Sequence, residues 1–341
     1  MSHGFFRPEE PGSHSGSAAI DYQRELNPAQ FEAVTLTDGP VLVIAGAGSG
    51  KTRTLVYRLA HLVEQGIAPW NILLLTFTRK ASQEMLHRAS QLIARPLQQV
   101  AGGTFHAVCH GWLRRHGSRL GYDTGFTLLD RHDQGDLVRL LRDRLEIKAS
   151  PGQFPRRETL VEIFGALVNK DLDLEALLNR EYPQFSNHLG TIATLAELYR
   201  RHKREHHLLD YDDLLLEGRR LLSDHENLRL ELSQRYRYIM VDEYQDTNRR
   251  QAEIVKLLAF THDNVMAVGD DSQSIYSFRG ANFRNIMDFP RLFPGARIIK
   301  LEENYRSTQP ILDLTNTIIA QASEKYTKCL FTRKKEGHIP V

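Results

Sequence analysis

The sequence predicts an α/β fold: a parallel sheet flanked by helices, with an all-helical subdomain inserted into it. Three observations carry this expectation. Short apolar runs recur at Val41-Leu42-Val43-Ile44, Ile72-Leu73-Leu74-Leu75, Tyr238-Ile239-Met240-Val241, Val265-Met266-Ala267-Val268 and Ile298-Ile299-Lys300-Leu301. A helical pattern follows each of the first two at once, and strand, helix, strand, helix at this spacing means βαβ units with right-handed crossovers. Residues of about 106–209 hold no comparable strand run and repeat their apolar residues at helical spacing instead.

Residues 1–20 carry proline, glycine, serine and histidine but no apolar stretch of signal length, and read as a disordered tail. Leu26-Asn27-Pro28-Ala29-Gln30 opens a short helix. Asn27 before a proline is an ordinary helix start, while the amides of Asn27 and Gln30 also suit a purine edge. The first apolar run then meets Ala45-Gly46-Ala47-Gly48-Ser49-Gly50-Lys51-Thr52, and Leu55, Leu59, Leu62 and Val63 form one helix face before Gly66 stops it.

Glycines let successive N–H groups converge on a phosphate, and the helix that follows adds its positive end. This is a phosphate-binding loop, with Lys51 for the β and γ oxygens and Thr52 for Mg²⁺. The strict consensus has glycine where Ala45 stands. The spacing of Gly46, Gly48 and Gly50 fails the dinucleotide pattern, which argues against NAD or FAD.

The second run ends in Thr76-Phe77-Thr78-Arg79-Lys80, and a helix from Ala81 to about Ile93 buries Met85, Ala89 and Leu92. In the helical stretch the spacing picks out Leu137, Leu140, Leu141 and Leu145, then Leu160, Ile163, Phe164 and Leu167, then Ile192, Leu195, Leu198 and Tyr199, with Pro151, Pro155 and Pro183 as punctuation. Arg114, Arg115 and Arg119 cluster, as do Arg200, Arg201, Lys203 and Arg204; a solvated helix face and a phosphate-binding strip both fit. His106 and His110 fall one helical turn apart near Cys109, but without further ligands at zinc spacing they read as ordinary helix residues.

Each later run empties into polar residues: Asp242-Glu243, Gly269-Asp270-Asp271 and Glu302-Glu303-Asn304. Ligands of open α/β sheets sit outside the carboxyl ends of the strands, so these residues draw the rim of one site. Asp242 would hold Mg²⁺ and Glu243 would orient an attacking water. Composition narrows little else. Lys and Arg number 44 against 42 Asp and Glu, a net +2, so any nucleic-acid surface is local. Two cysteines make no disulfide framework and suit a reducing cytoplasm, and no run has the length of a membrane helix.

The motifs Asp242-Glu243-Tyr244-Gln245-Asp246-Thr247-Asn248, Gly269-Asp270-Asp271-Ser272-Gln273-Ser274-Ile275-Tyr276 and Glu303-Asn304-Tyr305-Arg306-Ser307, behind the loop at 45–52, closely resemble superfamily 1 DNA helicases of the UvrD/PcrA/Rep type. The resemblance covers nearly all of residues 22–341. It implies a RecA-like ATP-binding motor domain over 21–105 and 210–281, a helical insertion over 106–209, and the start of a second RecA-like domain over 282–341. By the same resemblance Gln30 reads adenine, Arg53 lies against the nucleotide and Tyr305 stacks on the base. Gln273 senses the γ-phosphate, and Arg306 reaches it from the second domain.

Single-stranded or partly duplex DNA is the implied partner, through Thr76, Phe77, Thr78, Thr104, Phe105, His106, Tyr276, Phe278 and Arg279. Phe278 stands where the family usually has tryptophan, Arg79 where it has asparagine and Ser82 where it has alanine. The family continues for several hundred residues beyond the asparagine-tyrosine-arginine motif and there supplies another arginine to the ATP site. The implied function is that of an ATP-driven 3′-to-5′ helicase in repair or replication. This polypeptide alone is expected to bind ATP and single strands, to hydrolyse slowly and not to unwind, with a companion chain or further segment completing the motor. Two alternatives stay open: an ATP-gated binding module derived from a helicase, and a phosphate-loop NTPase unrelated to nucleic acid.

Overall fold

The computed structural model describes residues 20–123, 125–147, 154–170, 172–273, 284–321 and 325–334. Two short helices, α1 (Tyr22–Glu25) and α2 (Pro28–Thr35), lead to strand β1 (Val41–Ala45) and helix α3 (Lys51–Glu64). Strand β2 (Ile72–Thr76) feeds α4 (Arg79–Ile93), and β3 (Ala101–Thr104) feeds α5 (Phe105–His116). After a minor strand β4 (Thr127–Leu128) come α6 (Arg131–Arg144), α7 (Arg157–Asn169), α8 (Leu174–Glu181) and α9 (Leu189–Glu205). Its partner β5 (Leu208–Leu209) is followed by α10 (Tyr211–Asp224) and α11 (Glu226–Arg235). The chain then runs through β6 (Tyr238–Val241), α12 (Arg249–Ala259), β7 (Val265–Gly269), α13 (Arg284–Met287), α14 (Phe289–Leu292), β8 (Arg297–Leu301) and α15 (Gln309–Ala320).

Six strands form one parallel sheet in the order β3-β2-β6-β7-β1-β8. The alternation of side chains along each strand divides the core into two layers. Leu42, Ile44, Leu73, Leu75, Ile239, Val241, Val265 and Ala267 face α5, α10, α11 and α12. Val41, Val43, Ala45, Ile72, Leu74, Met240, Met266 and Val268 face α2, α3 and α4. Both faces are covered, which is why these strands read as continuous apolar runs rather than alternating ones.

Two strands depart from expectation. β3 is an Ala-Gly-Gly-Thr edge strand without an apolar run. A Cβ on Gly102 would lie 2.7 Å from Ser82 Oγ and 2.9 Å from Leu86 Cδ1, so any larger residue there makes those side chains of α4 shift. β8, expected in a second unit beginning at residue 282, instead pairs along the whole of β1. Ile299 and Leu301 are buried against the α2–α4 layer while Arg297 and Ile298 are exposed, the alternation of an edge strand. Arg297 Nε reaches Glu32 Oε1 of α2 at 3.0 Å.

Residues 129–199 pack around an apolar cluster of their own that includes Leu137, Leu141, Leu160, Ile163, Phe164, Ile192, Leu195, Leu198 and Tyr199. Leu140 is exposed, and Leu145 and Leu167 are partly buried. Helices α5 and α10, which bracket this stretch, belong to the layer on the sheet: Phe105, Cys109, Trp112 and Leu113 form one face of α5 and are buried there. The expected insertion at 106–209 therefore shares its first helix with the sheet's core. In α4, Met85, Ala89 and Ile93 are buried, and Leu92 is only half-buried. The expected tail lies outside the described residues up to position 19. Among the described residues no helix is long and apolar enough to cross a membrane.

The account of β3 predicts that Gly102→Ala loses ~1–3 kcal/mol of stability through overpacking against α4, seen as a lower urea midpoint with an unchanged slope. An unchanged midpoint would contradict it.

Candidate functional site

The carboxyl ends of β1, β6 and β7 open into a cavity of about 740 Å³ lined by Gln30, Ala47, Gly48, Gly50, Lys51, Thr52, Arg53, Glu243, Gln273, Tyr305 and Arg306, together with Glu25 and Arg88. Ala45 ends β1 beneath it, buried with Gly46 and Ser49. The loop is curled as a phosphate cradle must be. Gly48 has φ 82 and Gly50 φ 91, and a Cβ at either would meet Arg306 Cβ at 2.6 Å or Gln30 Nε2 at 2.5 Å. Conformation and space both demand glycine there.

The turn after β8 clasps this loop from outside. Asn304 is buried; its Nδ2 donates to Ala47 O at 2.6 Å, and its Oδ1 accepts from the N–H groups of Arg306 and Ser307 at 2.9 and 2.8 Å. Tyr305 N donates to Gly48 O at 2.9 Å. Arg306 is thereby fixed at the cavity wall by residues on the same sheet.

Lys51 Nζ donates to Glu243 Oε2 at 2.6 Å, and Gln245 Nε2 donates to the same oxygen at 2.8 Å. Glu243 has φ 49, a left-handed conformation that is uncommon for glutamate. Next to it, Asp242 is buried and its Oδ1 has no hydrogen-bond partner. Burial, followed by the charge of Glu243, pushes the Asp242 carboxyl up to about 6 against the opposing pull of Lys51. A buried carboxylate oxygen without a donor, beside the phosphate loop, fits a hard divalent cation. Asp242 with Thr52 would hold Mg²⁺, which when bound would neutralise phosphate charge.

On the side where a base would lie, Asn27 and Gln30 form a reciprocal cap: Asn27 Oδ1 accepts from Gln30 N at 2.8 Å and Gln30 Oε1 from Asn27 N at 3.3 Å. Gln30 Nε2 donates to Ser49 O at 3.2 Å. The helix-start reading of these amides is therefore realised, and Gln30 also reaches the cavity. Asn27 Nδ2 donates to the hydroxyl of Tyr305, whose ring is 46% exposed and open for stacking. Arg53 Nη2 donates to Glu25 O and Oε2 at 2.7 and 2.9 Å, and its guanidinium stands 4.7 Å from the Tyr57 ring centre.

Residues 26–294 match the UvrD/REP helicase N-terminal domain family. The chain belongs to this family. It is 37% identical over 316 residues to the ATP-dependent DNA helicase PcrA of Staphylococcus aureus, and 38% identical over 315 residues to that of Staphylococcus epidermidis. Each match covers 92% of this chain and 42% of the relative, so the chain spans under half the length of these UvrD/REP-family proteins.

The residues that the UvrD/REP resemblance assigned to DNA gather at the ends of β2 and β3. Thr76, Phe77, Thr104, Phe105 and His106 line a second cavity of about 200 Å³ with Asn169, Leu215, Asp246, Asn248 and Gln251. They are not equivalent. Phe77 is 39% exposed and free to stack, whereas Phe105 is 2% exposed in the core of the sheet and offers no face to a base. Thr76 is buried and donates to Thr78 O at 2.8 Å; Thr78 and Thr104 cap α4 and α5. His106 stands 5.8 Å from the ring of Tyr211, and His110 packs edge-on to Phe126. Tyr276, Phe278 and Arg279 lie outside the described residues.

Several site residues escaped the motif reading. Asn169 accepts from Asn248 Nδ2 at 3.4 Å and donates to Asp212 Oδ1 at 2.7 Å, tying α7 to the loop that carries Glu243. An isolated asparagine at a helix end has no sequence signature, and only the fold brings it to this loop.

A proton and a divalent cation compete for Asp242. Mn²⁺ affinity is expected to rise about tenfold per pH unit up to about pH 6 and to level off above it. Without metal the sign reverses: the raised carboxyl favours the folded state below the ordinary carboxylate range, and that contribution is lost as pH climbs through about 6. Titration with Mn²⁺ across this range checks the first and urea unfolding of the metal-free chain the second, with Asp242→Asn giving weak, pH-flat binding. A flat profile in the unsubstituted chain would contradict the assignment.

Proposed function

We propose that this chain is the ATP-binding motor portion of an ATP-driven 3′-to-5′ DNA helicase, one that couples ATP binding and hydrolysis to movement along single-stranded DNA. The observation that carries this is the convergence of Lys51, Thr52, Glu243, Gln273 and Arg306 on one cavity, with the unpartnered Asp242 carboxylate buried next to Glu243, in a chain of the UvrD/REP family. Lys51 and Arg306 neutralise the phosphates, Asp242 and Thr52 hold Mg²⁺, and Glu243 takes a proton from the attacking water. Gln30, Arg53 and Tyr305 hold the base. The six-stranded sheet and its two helical layers, drawn from 21–116, 210–273 and 297–301, form the motor domain, and the cluster at 129–199 is its inserted helical subdomain.

DNA lies across the ends of β2 and β3, a few residues from the catalytic loop. Phe77 supplies a stacking face, which tolerates any base and contributes ~1–3 kcal/mol. Asp246 and Asn248 belong to the loop that carries Glu243 and also line the DNA-side cavity, so occupancy of one site is felt at the other. Burial, then the charge of Glu243, raises the Asp246 carboxyl above its ordinary range, which fits a group poised between the two.

Steady-state ATP hydrolysis by the chain, with and without an oligothymidylate, tests this. Added single strand is expected to raise the rate, and Glu243→Gln to lower it by about 10²–10⁴. Phe77→Ala should weaken oligonucleotide binding by ~1–3 kcal/mol and leave ATP affinity unchanged. ATP binding without retention of the oligonucleotide at low salt would overturn the nucleic-acid half of the proposal.

A further inference from the structure

The adjacent carboxylates Asp270 and Asp271, after β7, have a partner that no motif announced. Lys328, in the segment 325–334 beyond α15, donates from Nζ to Asp270 Oδ1 and, at 2.6 Å, to Asp271 Oδ1. The three side chains are 1%, 3% and 2% exposed. Two carboxylates buried side by side repel, and burial without a cation would be costly for both. The lysine is what allows this turn to sit inside the protein.

Its segment is fastened on both sides. Tyr326 N donates to Asp271 Oδ2 at 2.9 Å, and Tyr326 Oη donates to Ile286 O at 3.1 Å. Phe331 N donates to Glu302 O at 3.0 Å, and Phe331 O accepts from Asn304 N at 2.7 Å. Leu330 lies over the phosphate loop, so that a Cβ on Gly46 would come within 2.9 Å of it.

From Asp270 the hydrogen bonds run into the nucleotide cavity. Asp270 Oδ2 accepts from Gln273 Nε2 at 2.6 Å. Asp270 N donates to Gln245 Oε1 at 3.0 Å, and Gln245 Nε2 donates to Glu243 Oε2, the acceptor of Lys51. Gln273 lines the cavity, whereas Lys328 is sealed behind it.

We propose that Lys328 is a positioning residue for nucleotide recognition. By bridging Asp270 and Asp271 it holds the turn that aims Gln273, and so sets the preference of the site for a nucleotide carrying a γ-phosphate. This rests on the ATP reading of the cavity given above.

The test is the ratio of ADP to ATPγS dissociation constants, with Mg²⁺, in the full chain and its variants. The unsubstituted chain should prefer ATPγS. Lys328→Met should leave ADP affinity within about twofold and cut that preference about tenfold, the loss of one charge-assisted hydrogen bond. Lys328→Arg should restore most of it. Gln273→Ala should lose the same preference, and Lys328→Met added to it should lose nothing more, because the lysine acts through the glutamine. Should Lys328→Met fail to fold, the pair Lys328→Gln with Asp271→Asn keeps the net charge of the buried group and carries the same expectation. Intact preference in any Lys328→Met or paired variant that still binds ADP, or additive losses in the double variant, overturns the proposal. An unsubstituted chain that binds both nucleotides equally also overturns it alone. An unsubstituted chain that binds neither overturns the ATP reading itself, and this assignment with it.

Discussion

A lysine and a glutamate from two strands that are not neighbours meet over the end of a third. Lys51 follows β1, Glu243 follows β6, and β7 lies between them in the sheet. Two strand spacings are about 10 Å, a gap that the two long side chains span over the end of β7 to make their 2.6 Å contact. Parallel pairing supplies the condition, since it brings the carboxyl ends of all six strands to one edge. In the function proposed above, the ammonium that neutralises Glu243 here would turn to a phosphate and leave the glutamate free as a base. Binding and activation of the site would then be one exchange of partners.

The surroundings of this pair limit what else can move. The loop is clasped by Asn304 and Tyr305 on one side and capped by Gln30 on the other. Glu243 is aimed by a left-handed turn whose backbone hydrogen bonds continue into Asp246 and Thr247. Asn285 Nδ2 donates to Thr247 O at 2.7 Å, and Asn248 reaches Asn169 on α7. A change at the phosphate end thus meets the helical insertion through hydrogen bonds, the kind of contact that has discrete alternatives.

Much of this was legible in the sequence because the chemistry has sharp demands. Gly48 and Gly50 are fixed by backbone conformation, Lys51 and Asp242 by charge at strand ends, and the first four apolar runs by burial on both faces. What was illegible depended on contacts between distant segments. β3 is a short, half-exposed edge strand of Ala-Gly-Gly-Thr with α4 close over Gly102, and this turn-like composition concealed a strand. Phe105 shares its type with base-stacking residues, but its place one step into α5 turns it into the core. β8 was expected in a second unit on the family resemblance, and its pairing with β1 joins segments about 250 residues apart. Lys328 sits in an unremarkable stretch, and only the fold carries it to Asp270 and Asp271.

The most direct test of the partner exchange is a crystal structure of the chain with Mg²⁺ and a non-hydrolysable ATP analogue. The account predicts Lys51 Nζ on phosphate oxygens, Glu243 released and facing the γ-phosphate, and Mg²⁺ between Asp242 and Thr52. An analogue seated in the loop with the Lys51–Glu243 pair still closed would contradict it.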